Sequence, residues 1–283
     1  MNRHTTEAIK ARTSIRKYSS HELPGKKLSE IFDILTTENE GPFGNMCRFW
    51  LIDSESYRNE PVKLGTYGFI SGLRYIIAGT VTKGAHLNME DYGYVLERKI
   101  IQFTRMGLGT CWIGGTFRRS EYAKTTTFHD GEIIPAITPI GFPGEKQGFR
   151  ERVIKYLARS KSRKEWSELF FDRTLSKPLT KEAAGIFANA LEMVRIAPSA
   201  NNAQPWRIIK EGKQFHFFLA RNKVVKESYK TVDLQRIDLG IAIAHFDLSL
   251  REEGISGLFQ TANKFPVPEE WTYITSYTAF FSE

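Results

Sequence analysis

One set of landmarks occurs twice along this chain, in the same order, and it limits the possible folds more than any single motif does. Pro42-x-x-Asn45 is followed by Trp50, and Pro198-x-x-Asn201 by Trp206, with the same internal spacing and an offset of 198 − 42 = 156. Asp91-Tyr92-Gly93 leads by 14 residues to Gly107, and Asp238-Leu239-Gly240 leads by 14 to Gly254, at an offset of 240 − 93 = 147. Arg12-Thr13 matches Arg173-Thr174, at an offset of 173 − 12 = 161. Each match is weak alone. Three in order, with offsets that drift only by loop-sized amounts, predict two tandem, diverged copies of one unit.

The hydrophobic periodicity supports the pairing. A short helix is expected at Thr6–Ala11, and each half then has a first helix, Leu28–Leu35 and Glu182–Ile196. In the latter Ile186, Phe187, Ala190, Leu191 and Val194 form an apolar stripe, and Pro198 stops the helix. Strands follow at Phe49–Ile52 and Trp206–Ile209, the latter turning through Glu211-Gly212-Lys213 into Phe215–Leu219; another is expected at Tyr75–Gly79. A second helix closes each half, Tyr92–Met106 and Asp238–Glu253, and in the latter Leu239, Ile243, Phe246 and Leu250 recur as a buried face does. Arg150–Ser176 reads as a basic link with few apolar runs. The expected architecture is α+β, with residues 1–164 as the first repeat plus link and 165–283 as the second. Such a chain supplies internally the two-fold that a homodimer supplies by association, so a monomer suffices. Duplicated sites are free to diverge, and one can decay while the other is kept.

Composition narrows the class. Of 283 residues 41% are hydrophobic and 13% aromatic, as in a folded globular protein. No apolar run approaches the roughly 18 residues that cross a bilayer, and the polar start MNRHTTEAIK lacks a secretory core. Cys47 and Cys111 are too few for a disulfide framework, so a cytoplasmic setting is expected. The net charge of +8 fits phosphate-rich nucleic acid, small anionic ligands or simply a basic surface. With neither RNP-like aromatics nor zinc-finger spacing present, no nucleic-acid partner is expected, and no metal site.

Four segments carry candidate chemistry. Arg12-Thr13-Ser14-Ile15-Arg16 places two guanidiniums around hydroxyls, which suits a phosphate and a polyol; alone, the pentapeptide reads better as a basic surface turn. Gly107-Leu108-Gly109-Thr110-Cys111-Trp112-Ile113-Gly114-Gly115 lets backbone approach a ligand; a helix cap and buried strand explain Gly107 and Gly109, but explain the Gly114-Gly115 pair less well. Ala197-Pro198-Ser199-Ala200-Asn201-Asn202-Ala203-Gln204-Pro205-Trp206 gathers hydrogen-bonding groups between two prolines, more than a simple turn needs. The run Arg159-Ser160-Lys161-Ser162-Arg163-Lys164 reads first as a solvated face and second as phosphate-binding through Lys161 and Arg163.

Together these segments resemble the FMN-dependent nitroreductase family. RTSIRKY is similar to its N-terminal Arg-x-Ser-x-Arg signature and APSANNAQPW to its Ala-Pro-Ser-x-x-Asn-x-Gln-Pro-Trp signature; GLGTCWIGG followed by ITPIGFPGEK is similar to its later helix-to-strand segment. In ordinary members both signatures lie close together on one short subunit, whereas here the second sits in the other half. That order resembles the Thermotoga-type subgroup, whose single chains also carry a late Pro-Ser-x-x-Asn-x-Gln-Pro-Trp loop and an Asp-Leu-Gly-Ile helix.

The resemblance implies a nitroreductase-like fold and one FMN per chain, held by the Arg/Ser motif of the first half and the Pro-Ser loop of the second. The second copies are degraded: Gly41–Arg48 has no Gln or Ser, and Arg173–Pro178 keeps one Arg before a proline. Carried over, Arg12, Thr13, Ser14 and Arg16 hold the ribityl phosphate and the N1/O2 edge, Gly114 and Gly115 present backbone near N5 and O4, Pro198, Ser199, Asn201 and Gln204 line the other side, and Lys161 and Arg163 close on the phosphate. The implied activity is ping-pong transfer of hydride from NAD(P)H through flavin N5 to a nitroaromatic, quinone or similar small planar acceptor. Such chemistry asks for no catalytic side chain, and Cys111 is expected to be a small buried residue. The alternative is an FMN-binding storage or sensing protein without turnover, which a pocket plugged by Tyr67–Phe69 or Phe280-Phe281 would favour. Gly65–Phe69 is otherwise a turn.

Overall fold

The computed structural model describes residues 4–54, 70–115, 117–124, 126–144, 162–221, 232–261 and 268–281. Its helices are α1 (Thr5–Ala11), α2 (Gly25–Thr36), α3 (Asn88–Arg105), α4 (Arg119–Lys124), α5 (Trp166–Leu169), α6 (Lys181–Ala184), α7 (Ala188–Arg195) and α8 (Leu234–Glu252). The strands are β1 (Cys47–Asp53), β2 (Tyr75–Thr82), β3 (Gly109–Thr110), β4 (Glu132–Ile133), β5 (Ile137–Gly141), β6 (Phe170–Asp172), β7 (Trp206–Glu211), β8 (Gln214–Ala220), β9 (Ile255–Gln260) and β10 (Trp271–Phe281).

Two helices organise the molecule. Both α3 and α8 are buried along almost their whole length and pack against each other. The approach is close because each contributes a glycine at the crossing: a Cβ on Gly93 would lie 2.3 Å from the carbonyl oxygen of Ile237, and one on Gly240 would lie 2.0 Å from that of Glu90. Each central helix carries a sheet. In the first, β1-β2-β5-β3 lie in that order with β4 also on β2, all antiparallel, and β1 runs on β2 from Cys47 opposite Val81 to Asp53 opposite Tyr75. The second has the order β6-β7-β8-β10-β9, with only the β6–β7 pair parallel. Alternation explains β8, where Phe215, Phe217 and Leu219 bury against one side while Phe218 joins Phe171 and Ile209 on the other.

A buried ion pair and a cap hold the start of the second helix. Arg236 forks onto Glu90, with Nε and Nη2 each donating at 2.7 Å to a carboxylate that is wholly buried. Burial pushes the Glu90 carboxyl up, and the Arg236 fork opposes that rise. Asp233 caps α8, its Oδ1 accepting from the backbone N–H of Gln235 at 3.1 Å and of Arg236 at 3.3 Å. The helix therefore begins four residues before Asp238, where periodicity alone started it.

Two further expectations are corrected. The helix foreseen over Glu182–Ile196 is broken: α6 ends at Gly185, whose φ of +59° only glycine adopts readily, and a 3₁₀ turn over Gly185–Phe187 precedes α7. The break shifts the helical phase, so Ile186 is 58% exposed although Phe187, Ala190, Leu191 and Val194 are buried. The link Arg150–Ser176 holds more than charge. Within it Phe170 and Phe171 form β6, Phe170 pairs with Ile208 and is fully buried, and the run was too short to register as a strand.

Candidate functional site

After α1 the chain passes along the edge of the first sheet, and this threading positions the arginine motif. Ser14 bridges in parallel to Thr110 at β3, and Ile15 donates its N–H to the Thr110 carbonyl at 2.8 Å. Gly109 is glycine because Ile15 lies where a side chain would be, 2.6 Å from the would-be Cβ. Ser14 and Arg16 thereby come next to Cys111, the arginine's charge and the Ser14 hydrogen bond both acting on its thiol. Burial dominates and holds that thiol above its ordinary value, as befits a side chain 4% exposed. Thr13 faces solvent.

Arg12 enters a buried polar cluster that sequence reasoning did not find. Its Nε lies 3.7 Å from Oε1 of Glu97, and its side chain is 7% exposed. Glu97, fully buried on α3, accepts from Trp112 Nε1 at 2.7 Å and faces His245 Nε2 on α8 at 2.9 Å. The other ring nitrogen of His245, Nδ1, faces the Met193 carbonyl at 2.9 Å. A carbonyl can only accept, so Nδ1 carries a proton, and one further proton lies between Nε2 and Glu97. Burial alone would raise the Glu97 carboxyl, but His245, Arg12 and Trp112 together outweigh it and hold it below its ordinary value. Arg12 shares that carboxylate with His245 as an ion pair at 3.7 Å without hydrogen-bonding it, and among the described residues its Nε has no hydrogen-bond acceptor. The available signals were a histidine inside the apolar run IAIAHFDLSL and a glutamate that directly follows the apolar Tyr94-Val95-Leu96.

The second element is the loop between α7 and β7. Asn201, Asn202 and Gln204 have φ of 52°, 56° and 47°, three left-handed residues in four. Conformations of this kind cost of order 1–3 kcal/mol each and persist where the surroundings impose them. Here Ser199 Oγ accepts from the Gln204 N–H at 2.9 Å, Gln204 Oε1 accepts from the Lys164 N–H at 2.8 Å, and Gln204 Nε2 donates to Asn202. Gln204 is 3% exposed, so its side chain ties this loop to the 162–164 segment instead of standing free, while Asn201 is exposed and Pro198 half-buried. Beneath the loop, the Ala200 N–H donates to Asp238 Oδ1 at 2.9 Å.

Arg163 joins the two elements. Its Nη1 donates to Asn202 Oδ1 at 2.9 Å and Nη2 to the Ile196 carbonyl at 3.0 Å. Burial, reinforced by the charges of Arg12 and Arg195, pushes its guanidinium down to about 10. Two arginines distant in sequence thus come close enough to repel, and a bound anion would relieve that repulsion.

Not every expected residue is brought there. Gly114 has a packing reason: a Cβ would lie 2.4 Å from Leu234 Cδ2, and its carbonyl accepts from Arg119 Nη2 at 2.8 Å. Gly115 has open space around it, with Leu234 4.0 Å from a would-be Cβ. Lys161, Arg159 and the Gly65–Phe69 segment lie outside the described residues. Among the described residues, no group of three or more His, Cys, Asp or Glu is placed to hold a metal ion, and no helix is long and apolar enough to cross a membrane.

Comparison with known proteins bears on this geometry. A crystal structure described as "a putative nitroreductase" from Thermotoga maritima superposes with a TM-score of 0.59 at 19% identity, covering 99% of this chain and 94% of that one, which shows the fold. Smaller chains match about half of the molecule: a nitroreductase family protein from Clostridium novyi (TM-score 0.43, 19% identity, 52% of this chain and 89% of that one) and an NADPH:FMN oxidoreductase from Vibrio harveyi complexed with NAD+ (0.42, 14%, 52% and 71%). None of the curated proteins matches. The family model described as "Putative TM nitroreductase" matches residues 4–250, and the chain belongs to that nitroreductase family, with its nitroreductase-like fold.

Proposed function

We propose that this chain is an FMN-dependent NAD(P)H oxidoreductase acting on small planar acceptors such as nitroaromatics or quinones, with one flavin site composed from both halves of the sequence. The observation that carries the reading is the convergence of Arg12 and Arg163. A buried guanidinium whose Nε meets no hydrogen-bond acceptor among the described residues, near enough to a second to help lower its pKa, fits a phosphate monoester. The tandem division at residues 164/165 belongs to the same reading.

In this reading Arg12, Ser14 and Arg163 hold the phosphate, and Thr13 and Lys161 add donors at its rim. Arg16, whose charge reaches Cys111 and Tyr18, supplies a cation that favours added electron density on a bound ring. Gly114 and Gly115 present backbone to the ring, and Pro198, Ser199, Asn201 and Gln204 form a rigid opposing wall. When bound, FMN supplies reversible two-electron transfer between the nicotinamide donor and the acceptor. Phe280, one of the residues expected to plug a storage protein, is 47% exposed on β10 opposite Ser256.

Flavin released from purified protein tests the stoichiometry, with one FMN per chain expected and two, or none after reconstitution, overturning the composite site. Arg12→Ala and Arg163→Ala should each weaken FMN binding by about tenfold to a hundredfold, the worth of a charge-assisted hydrogen bond. Arg16→Ala and Gln204→Ala, which lie in different halves, should also both weaken it; if Gln204→Ala binds FMN like the parent while Arg16→Ala does not, the site is not shared between the halves. Stopped-flow reduction of the flavin by NADH and by NADPH then tests turnover.

A further inference from the structure

A second concentration of positive charge lies on the side of the Pro198–Pro205 loop toward β10. Here a cavity of about 490 Å³ is lined by Lys164, Arg207, Arg221 and Trp271, with Asn201 and Asn202 on the loop side. Arg221 is neutralised by Asp233, whose Oδ2 is 2.5 Å away. Among the described residues the other two cations have no such partner. Arg207 gives Nη1 to the carbonyls of Gln204 (3.2 Å) and Trp206 (2.6 Å) and lies over the Trp271 ring, 5.7 Å from its centroid, leaving Nε and Nη2 without an acceptor. Among the described residues the Lys164 ammonium makes no hydrogen bond or ion pair; exposed Glu168 acts on both cations only from beyond ion-pair range. Burial lowers both groups, and the charge of Arg207 lowers Lys164 further. Two like charges half-buried in a polar concavity are unfavourable unless an anion completes them.

We infer that this cavity is a binding site for the phosphoryl group of a nucleoside phosphate, distinct from the site of Arg12 and Arg163. Lys164 and Arg207 take the phosphoryl oxygens, exposed Asn201 offers its amide to a sugar, and Trp271, backed by Phe171 and Phe218, offers an aromatic surface to a base. The last residue of the Arg159–Lys164 run thereby has a use that the flavin reading leaves open. Free nucleotides and the phosphorylated end of a nicotinamide donor share this chemistry.

The test is calorimetric titration of the protein as purified, its bound flavin quantified separately, with 5′-AMP, adenosine 2′,5′-bisphosphate and inorganic phosphate. Saturable nucleotide binding that weakens at least tenfold in both Lys164→Met and Arg207→Met, with FMN content unchanged, is expected. A bisphosphate preferred over AMP assigns the site to the donor's 2′-phosphate; equal binding assigns it to free nucleotides. Arg207→Met risks the fold through its two carbonyl partners, but the Lys164 ammonium has none, so that variant stays informative. No nucleotide binding by the parent, no weakening in Lys164→Met, or inorganic phosphate bound as tightly as AMP overturns the inference. FMN lost in step with nucleotide also overturns it, because the cavity then belongs to the flavin site. Nucleotide bound by a protein that never holds flavin sinks the flavin reading alone.

Discussion

Gly93 and Gly240 exchange the same contact across the centre of the molecule: each opens its helix to a backbone carbonyl of the other, Gly93 to Ile237 and Gly240 to Glu90. Both partners stand three residues before the opposite glycine, and 240 − 93 equals 237 − 90. The α3–α8 crossing is therefore reciprocal, as at a two-fold axis.

A methyl group at either position would collide with main chain, which cannot rotate away. Gly93→Ala and Gly240→Ala should each destabilise the fold by about 2 kcal/mol or more, within or above the usual range for overpacking. At roughly 2–4 °C per kcal/mol the melting temperature should fall by about 4–8 °C. Gly25→Ala, with nothing within 4 Å of its Cβ position, is the control and should be near neutral. Equal melting of all three would show that the helices can part without cost.

The sequence made this crossing partly legible. Asp91-Tyr92-Gly93 and Asp238-Leu239-Gly240 stood out because the crossing needs glycine on both sides and each aspartate holds a loop: Asp91 accepts from the N–H groups of Phe43 and Asn45, Asp238 from that of Ala200. The arginine and Pro-Ser segments were legible because their residue types are costly elsewhere. Glu97 and His245 were not, since periodicity counts apolar positions and is blind to a charge matched by another 148 residues away. The break at Gly185 was missed because its φ is invisible in an otherwise helical run, and the strain at Asn201–Gln204 because a left-handed asparagine spells like any other.

Asp238 and Asp91 should respond differently to amidation. Asp91 accepts three donors, the N–H groups of Phe43 and Asn45 and the Asn45 amide, so Asp91→Asn forces an amide against an N–H and should cost on the order of 1–3 kcal/mol. Asp238 Oδ1 takes one donor and Oδ2 none, and burial holds its carboxyl well above the ordinary range. Its folded pKa is raised, so its contribution to stability is complete below the unfolded value near 3.9 and is lost as pH rises toward the folded value. Asp238→Asn should remove that loss. Urea midpoints from pH 4 upward will show a shallower decline in the variant, and an unchanged slope would mean that Asp238 ionises normally.

Lys99 gives a test at the alkaline end. Its ammonium donates at 2.7 Å to the carbonyls of both Ile34 and Thr37 at the end of α2, and burial lowers it to about 8. Between pH 8 and the unfolded value near 10.4, the unfolded chain holds the proton that the folded one has released, so this group makes stability rise with pH. Lys99→Met should flatten the rise while lowering stability at neutral pH, because two carbonyls lose their donor. Denaturation at pH 7.5, 9 and 10 measures both effects. A rise unchanged in the variant would place the titration elsewhere.

Glu97 and His245 join the first half to the second through a buried pair that also backs Arg12, and their coupling can be measured. Removing one partner strands the other without water: Glu97→Gln leaves Arg12 and the His245 ring without their carboxylate, and His245→Gln leaves a buried carboxylate with Trp112 and the Arg12 guanidinium 3.7 Å away. Each should cost about 3–5 kcal/mol, as broken buried pairs do. The double variant should cost less than the sum, with a coupling of about 1 kcal/mol or more between residues on different helices. The pH dependence has a fixed sign. The Glu97 carboxyl is held below its ordinary value, so its contribution is present above the unfolded pKa near 4.3 and lost as pH falls through the lower folded value. The parent should therefore lose stability in acid more steeply than Glu97→Gln, which has no carboxylate to protonate. Ligand binding separates support of the fold from support of Arg12. If Glu97 orients that guanidinium, Glu97→Gln should weaken FMN binding even well below its melting temperature, while a core variant of equal destabilisation, such as Leu250→Ala on α8, should not. Additive single costs, or FMN bound as tightly by Glu97→Gln as by the parent, would show the pair to be packing alone.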